Sequence, residues 1–295
     1  MSASQRGSTH PGILLEGNTM AFTRSRSRAL LAVAGFAVAL LALSACSSSG
    51  TSSDATTVTA GKLTIATGQP AYSPWVIDNK PANGQGFESA VAYAVANQLG
   101  YAKKDVVWTR TTFDSAIAPG PKTFDLNIQQ FSITAARKKA VDFSPPYYTT
   151  SEAIVTTKGS PAASVKTLAG LRKVKLGVQS GTTSYTAVID DVKVQPQVFN
   201  SNDDAVLALK SGQVDAIAVD LPTAFYLADS ELKNGVVLGQ FAGNAGGDQF
   251  GFVLPKGSSL TKKVTAAVDA LRKNGQLAAI TKKWLSTSVG VPVFK

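Results

Sequence analysis

The sequence predicts an α/β protein whose sheets are mostly parallel. Segments with strand patterning alternate with segments of helical spacing along most of the chain, which argues for sheets flanked by helices. Twice a strand runs directly into a Ser/Thr-rich helix start, once near Ser132 and once near Thr182. In open α/β sheets the functional crevice lies outside the carboxyl ends of the strands, so two such devices facing each other would form a cleft. The length of 295 residues is enough for roughly two domains.

The first 61 residues stand apart from this pattern. Arg24, Arg26 and Arg28 precede an uncharged apolar run from Ala29 to Leu43, which ends at Leu43-Ser44-Ala45-Cys46. A basic start, a short apolar core and small residues before a cleavage point describe a secretory signal. The run of about 15 residues is short for crossing a hydrocarbon layer of about 30 Å as a helix. The only cysteine, Cys46, directly after Leu-Ser-Ala resembles a bacterial lipobox, so residues 1–45 are expected to be a signal peptide and Cys46 a lipidated mature N-terminus. Met20 sits just before the basic segment and is read as the true start. Residues 46–61 carry the lipidated end and a small, polar stretch that reads as a flexible tether reaching roughly 20 Å.

The body follows in order. Lys62–Thr67 alternates as a strand, then enters a turn-rich loop with Tyr72 and Trp75. Gly86–Gly100 has helical spacing and closes on a glycine. Val106–Thr111 is a strand, and Phe113–Ala118 is a short helix stopped by Pro119. Asp125–Ile128 is a buried-looking strand leading into a polar corner, Gln129–Thr134, and a basic turn. That corner sets Ser132 and Thr134 beside the guanidinium of Arg137, whose rigid donor fork suits a carboxylate. Ser and Thr are also ordinary helix caps, so spacing alone leaves a capped surface turn equally open.

Beyond Tyr148, strands are expected at Ala153–Thr157, Val174–Val178, Val214–Val219 and Gln249–Leu254. Helices are expected at Leu168–Leu171, from Thr183 to Ile189, at Asp203–Lys210, from Leu221, at Leu260–Asn274 and at Leu277–Leu285. Pro222 at a first helical turn fits, because its missing N–H is unpaired there anyway. Asp220, just ahead, is placed as an N-cap. No repeat of fixed period is present.

Composition excludes several chemistries. With residues 1–45 removed, the chain keeps no histidine and no free thiol, which removes histidine acid/base chemistry, thiolate nucleophiles and disulfides. Four Arg and one Glu lie in residues 1–45, leaving a formal charge of +7 from 25 basic and 18 acidic residues. Those charges are scattered without a basic stripe or interleaved aromatics, so no nucleic-acid partner is expected. No cofactor and no metal is expected either.

The residues assembled here resemble the extracytoplasmic solute-binding proteins of amino-acid ABC importers (family 3, the polar amino-acid-binding type), over about residues 62–287. The landmarks are Gly86-Phe87, Phe113-Asp114, Ser132-Ile133-Thr134 with Arg137, and Val141-Asp142-Phe143-Ser144 followed by Pro-Tyr-Tyr. Gly181-Thr182-Thr183, Val214-Asp215-Ala216 ending at Asp220, and Phe250-Gly251-Phe252 before Lys256-Gly257 complete the series. The resemblance implies a two-lobed periplasmic-binding-protein fold (type II). Lobe 1 would be 62–150 plus 247–295 and lobe 2 151–246, with crossovers near Thr150–Thr156 and Gly243–Gln249.

It also implies roles. Arg137 would hold a ligand α-carboxylate, with Ser132 and Thr134 on the same head group and Thr182 and Thr183 approaching from lobe 2. Asp220 would hold the α-ammonium. Tyr72 and Phe113 would pack on the ligand side chain, and Gln130 would line the site. The implied partners are an amino acid, a membrane permease with its ATPase, and the membrane itself through the Cys46 lipid, with the protein acting as a monomer on the outer face of the cell membrane.

Two departures bear on the ligand. Gln69 stands where many members carry Asp, which tilts the expectation to a neutral polar or acidic amino acid over a basic one. The Gly-Phe-Asp-x-Asp pattern reads Gly86-Phe87-Glu88-Ser89-Ala90, with Glu88 and Ala90 assigned to a supporting helix. The competing reading is an enzyme on the same scaffold, a cyclohexadienyl-type dehydratase, with Glu88 or Asp220 as acid/base group.

Overall fold

The computed structural model describes residues 57–243, 247–285 and 290–295. The predicted signal peptide, Cys46 and residues 46–56 lie outside these. In chain order the first half contains β1 (Leu63–Thr67), α1 (Phe87–Gln98), β2 (Val106–Arg110), α2 (Phe113–Ile117), β3 (Leu126–Asn127), β4 (Val141–Phe143) and β5 (Tyr148–Thr150). Next come β6 (Glu152–Thr157), α3 (Leu168–Leu171), β7 (Leu176–Gln179), α4 (Thr183–Ala187), β8 (Gln197–Phe199), α5 (Asn202–Lys210), β9 (Ala216–Asp220), α6 (Leu221–Tyr226) and β10 (Gly235–Gln240). The chain then returns through β11 (Asp248–Phe250), β12 (Val253–Pro255), α7 (Thr261–Lys273) and α8 (Gln276–Leu285).

Two five-stranded sheets result, in the orders β2-β1-β3-β12-β4 and β10-β6-β9-β7-β8. In each, two pairings are parallel and two antiparallel. The antiparallel pairings all involve β12 or β6, the strands that enter a sheet straight from a crossover. The crossovers themselves pair: β5 and β11 form a two-stranded ribbon joining Tyr148 to Phe250 and Thr150 to Asp248. This is the two-lobed fold, each lobe a sheet flanked by helices.

Each lobe has its own core. In lobe 1, Leu63, Ile65, Leu126 and Leu254 of the sheet pack against Val91 and Val95 of α1 and Val264 and Leu271 of α7. In lobe 2, Val155, Ile217 and Val219 meet Val206 and Leu209 of α5 on one face. Ile154, Val178 and Ala218 meet Val188 and Leu171 on the other. Burying such side chains is worth roughly 1.5–3 kcal/mol each before ordering entropy is counted. Trp75 is fully buried at the crossover, with edge contacts to Phe87, Tyr148 and Phe250, and its indole N–H donates to Thr223 Oγ1 of lobe 2 at 2.9 Å.

Several boundaries differ from the pattern reading. The strand expected over Gln249–Leu254 is two strands, because its first half pairs with β5 and its second half joins the lobe 1 sheet. The sequence pattern does not single out β4, β8 or β10. β8 is a three-residue edge strand with Val198 half exposed, and β10 carries Gly235 and Gly239, which read as breakers.

Two domain boundaries are corrected. Residues 57–61 are not tether, since the Val58 amide donates to Asp125 Oδ1 at 2.8 Å and a turn closes from Lys62 to Thr59. Residues 290–295 pack on lobe 2 rather than lobe 1. The Phe294 N–H donates to the Gln240 carbonyl, the Gln240 N–H donates to the Pro292 carbonyl, the Phe294 ring lies near Phe241, and Leu168 donates to the Lys295 carbonyl. An apolar ring one residue from the end finds its partner, Phe241, only across space, so no local pattern announces it.

Gly86 opens α1 at φ +98°, and a Cβ there would lie 2.4 Å from the Trp75 carbonyl oxygen. That conformation and that approach both require glycine. Gly86→Ala is expected to destabilise the fold by about 2 kcal/mol or more, read as a drop of several degrees in a thermal melt followed by circular dichroism. An unchanged melt would show that the Trp75 loop yields freely.

Candidate functional site

Four strand ends converge between the sheets. Thr67 closes β1, Gln129 and Gln130 follow β3, Gln179 closes β7 and Asp220 closes β9, and all of them line one cavity. β1 and β3 are parallel neighbours, as are β7 and β9, so each pair delivers its carboxyl ends to the same edge. Tyr72, Phe113, Thr182, Thr183, Ser184 and Asn202 complete most of the wall. The cavity measures about 40 Å3, room for only a few water molecules.

Of the residues expected at a ligand, Tyr72, Phe113, Gln130, Thr182, Thr183 and Asp220 line this cavity. Ser132, Thr134 and Arg137 do not. Thr134 caps the turn that starts at Arg137, accepting its backbone N–H at 3.1 Å, and borders a separate cavity of about 240 Å3. Ser132 is buried behind Thr183, with their hydroxyls 2.9 Å apart. Arg137, 9% exposed, donates from Nη1 to the Ser132 carbonyl and from Nη2 to the Gly181 carbonyl, each at 2.8 Å. It therefore ties lobe 1 to lobe 2. Its guanidinium lies over the Phe113 ring at 5.2 Å, and Phe113 stacks on Phe131. Burial lowers the Arg137 pKa while the charges of Asp248, Glu152, Asp220 and Asp114 oppose that shift; a guanidinium remains cationic throughout.

Local reasons place the other groups. Thr182 is the N-cap of α4, accepting from Tyr185 N at 3.2 Å and donating to the Gln179 carbonyl. Asp220 occupies the N-cap position of α6 but makes no side-chain capping bond, which leaves its carboxylate available to the cavity. Burial, then the charge of Asp203 in lobe 2, pushes the Tyr72 pKa well up. Gln130 holds a left-handed φ of +49°. Glu88, fully buried on the first turn of α1, fixes it by accepting from Gln130 N at 2.8 Å and from Gln130 Nε2, with Tyr147 OH as a further donor. With no cation beside it, Glu88 is pushed up by burial to about 7. Gln69 is exposed and outside the lining, so its lack of charge carries no weight on the ligand.

An acidic cluster was not legible in the sequence. Carboxylate oxygens of Glu152, Asp220 and Asp248 lie within 4.8 Å of one another. Thr183 Oγ1 is 2.8 Å from Glu152 Oε1 and 2.7 Å from Asp248 Oδ2, Ser132 donates to Asp248, and Ser184 donates to Glu152. Burial first, then the Asp248 charge, raises Glu152 to about 8, and burial raises Asp220 well above the usual carboxylate range, helped by Glu152, Asp248 and Glu88. Among the described residues this is the one group with metal-holding spacing. Its oxygens already accept from three hydroxyls and face a guanidinium, a setting suited to an ammonium group or a shared proton more than to a metal ion. β6 and β11 bring Glu152 and Asp248 together from nearly a hundred residues apart, and no motif marks either.

A two-lobed fold with a polar cavity at the carboxyl ends of both sheets defines a class of ligand-binding proteins. Residues 63–287 match the model of the bacterial extracellular solute-binding proteins, family 3, and the chain belongs to that family. It is 30% identical over 236 residues to the arginine-binding periplasmic protein of Mannheimia haemolytica, covering 77% of this chain and 93% of that one. Among solved structures it is similar to an ancestral arginine-binding protein bound to glutamine (TM-score 0.65, 32% identity, 76% of this chain and 98% of that one). It is also similar to an ancestral amino-acid-binding protein that is a precursor of cyclohexadienyl dehydratase (TM-score 0.63, 32% identity, 76% and 95%).

Proposed function

We propose that this chain captures one amino acid between its lobes and hands it to a membrane permease with its ATPase, as the lipid-anchored receptor of an ABC importer. One observation carries the reading. Asp220 of lobe 2 presents an uncapped carboxylate to the cavity, while Arg137 of lobe 1 stands close enough to feel its charge. An acid and a base held by opposite lobes suit a zwitterion, whose ammonium and carboxylate would join the lobes through itself. Arg137 still has guanidinium donors beyond the two used on carbonyls. Ser132, Thr134, Thr182 and Thr183 would supply hydroxyls around the head group, and Tyr72, Phe113 and Gln130 the surroundings of the side chain. The cavity admits only a few waters as it stands, so entry of a ligand requires the lobes to part about the β5–β11 ribbon, a hinge motion. Calorimetry of the monomeric protein against the twenty amino acids tests this: saturable one-to-one binding of at least one is expected, and silence from all twenty would remove the reading.

The enzyme alternative loses one of its two groups. Glu88 is absent from the cavity wall and is spent on Gln130 and Tyr147. Incubation with prephenate or arogenate is expected to give no turnover.

Anchoring is proposed from Leu43-Ser44-Ala45-Cys46. No helix among the described residues is long and apolar enough to cross a membrane. Cys46→Ser is expected to abolish palmitate labelling and shift the protein from the membrane pellet to the soluble fraction; a labelled variant would refute the assignment.

A further inference from the structure

We infer that the side-chain end of the cavity selects a neutral, hydrogen-bonding side chain, a carboxamide above all, and that Thr67 and Gln129 are the residues that select it. This rests on the reading of the cleft as an amino-acid site. Thr67 is 1% exposed, and its Oγ1 has no hydrogen-bond partner in the protein. Gln129 Oε1 is likewise buried without a partner. Both residues line the cavity. Buried polar atoms are nearly always paired, and leaving one unpaired is costly. Both atoms belong to residues of one cavity wall, and once the lobes part they would be satisfied by a group that bonds a hydroxyl and donates to a carbonyl oxygen.

The rest of the wall agrees. Gln130, Gln179 and Asn202 add amides, and Asp220, assigned above to the ammonium, is the only charged residue of the lining among the described residues. Neighbouring charges lie outside the lining. Asp203, near Tyr72, is one of them. Arg110 spends its guanidinium on the carbonyls of Gly68 and Asn79 and on Asn79 Oδ1. A cationic or anionic side chain would thus be buried without a counter-charge, which is strongly unfavourable. An apolar one would leave Thr67 and Gln129 unpaired. A carboxamide offers its oxygen to the Thr67 hydroxyl and its N–H to Gln129 Oε1. A Cβ on Gly68 would sit 2.8 Å from Gln129 Nε2, so glycine there leaves room for the Gln129 amide.

The test is calorimetry of wild type, Thr67→Val and Thr67→Ser with glutamine, asparagine, glutamate, arginine and methionine, each variant first checked by thermal melt. Glutamine or asparagine is expected to bind wild type at least about tenfold tighter than glutamate, arginine or methionine, in line with a hydrogen-bonding site rejecting analogues that leave its groups unpaired. Thr67→Val, close in shape but without the hydroxyl, should weaken carboxamide binding by about tenfold and shrink the preference over methionine; Thr67→Ser should restore both. Arginine, glutamate or methionine binding as tightly as the amides would overturn the inference and leave the amino-acid reading standing. So would a Thr67→Val preference equal to wild type. Binding of no amino acid would overturn both.

Discussion

Arg137→Ala is expected to raise the Kd for the bound amino acid by roughly 100-fold or more, about 3 kcal/mol, the range measured when one partner of a buried, hydrogen-bonded charge pair is removed. Arg137 is 9% exposed and surrounded by Asp114, Glu152, Asp220 and Asp248, so removing it strips a cation from an acidic enclosure as well as a carboxylate fork. The Ser132 and Gly181 carbonyls would lose their donors too, so the variant should also melt lower. Arg137→Lys separates the contributions: it keeps the charge and loses the fork, and should recover part of the affinity. Calorimetry checks both variants. Affinity within threefold of wild type in Arg137→Ala would eliminate Arg137 as the carboxylate anchor.

Stability in the absence of ligand is expected to fall as pH rises from about 5 to about 8. Glu152 and Glu88 carry folded pKa values raised to about 8 and about 7 from ordinary values of 4.5, chiefly because burial disfavours their charged forms. A group with a raised folded pKa holds its proton in the folded state where the unfolded chain has released it. Stability is therefore fully present below the unfolded pKa and is lost as pH climbs through the folded one. Asp220, also raised, acts in the same sense. Together they should lower stability by a few kcal/mol across this window. Glu152→Gln should flatten part of the slope and melt higher than wild type at pH 8, because it leaves the Asp248 and Asp220 carboxylates without a third neighbour of like charge. Thermal melts at pH 5, 6.5 and 8 provide the readout, and a wild-type melting temperature independent of pH would contradict the account. A cationic head group settling among these carboxylates should expel protons on binding, measurable by calorimetry in buffers of different ionisation enthalpy.

The strand–helix alternation, the ends of α1 at Gly86 and Gly100, and the corner holding Ser132, Thr134 and Arg137 were legible because each rests on neighbours in sequence. Periodicity and capping are short-range effects, and so is a motif. Thr134 and Thr182 show the limit: both are caps, as their spacing allowed, and spacing could not say which of them also faces the cavity. Tertiary structure alone decided that Arg137 bridges the lobes and that Asp220 is left uncapped. It alone brought Glu152 and Asp248 together, and it left Thr67 Oγ1 and Gln129 Oε1 without partners on the cavity wall. The reason is that burial and charge proximity are properties of the space between the lobes. That space is enclosed by strand ends drawn from across the chain, and no local stretch of sequence contains it.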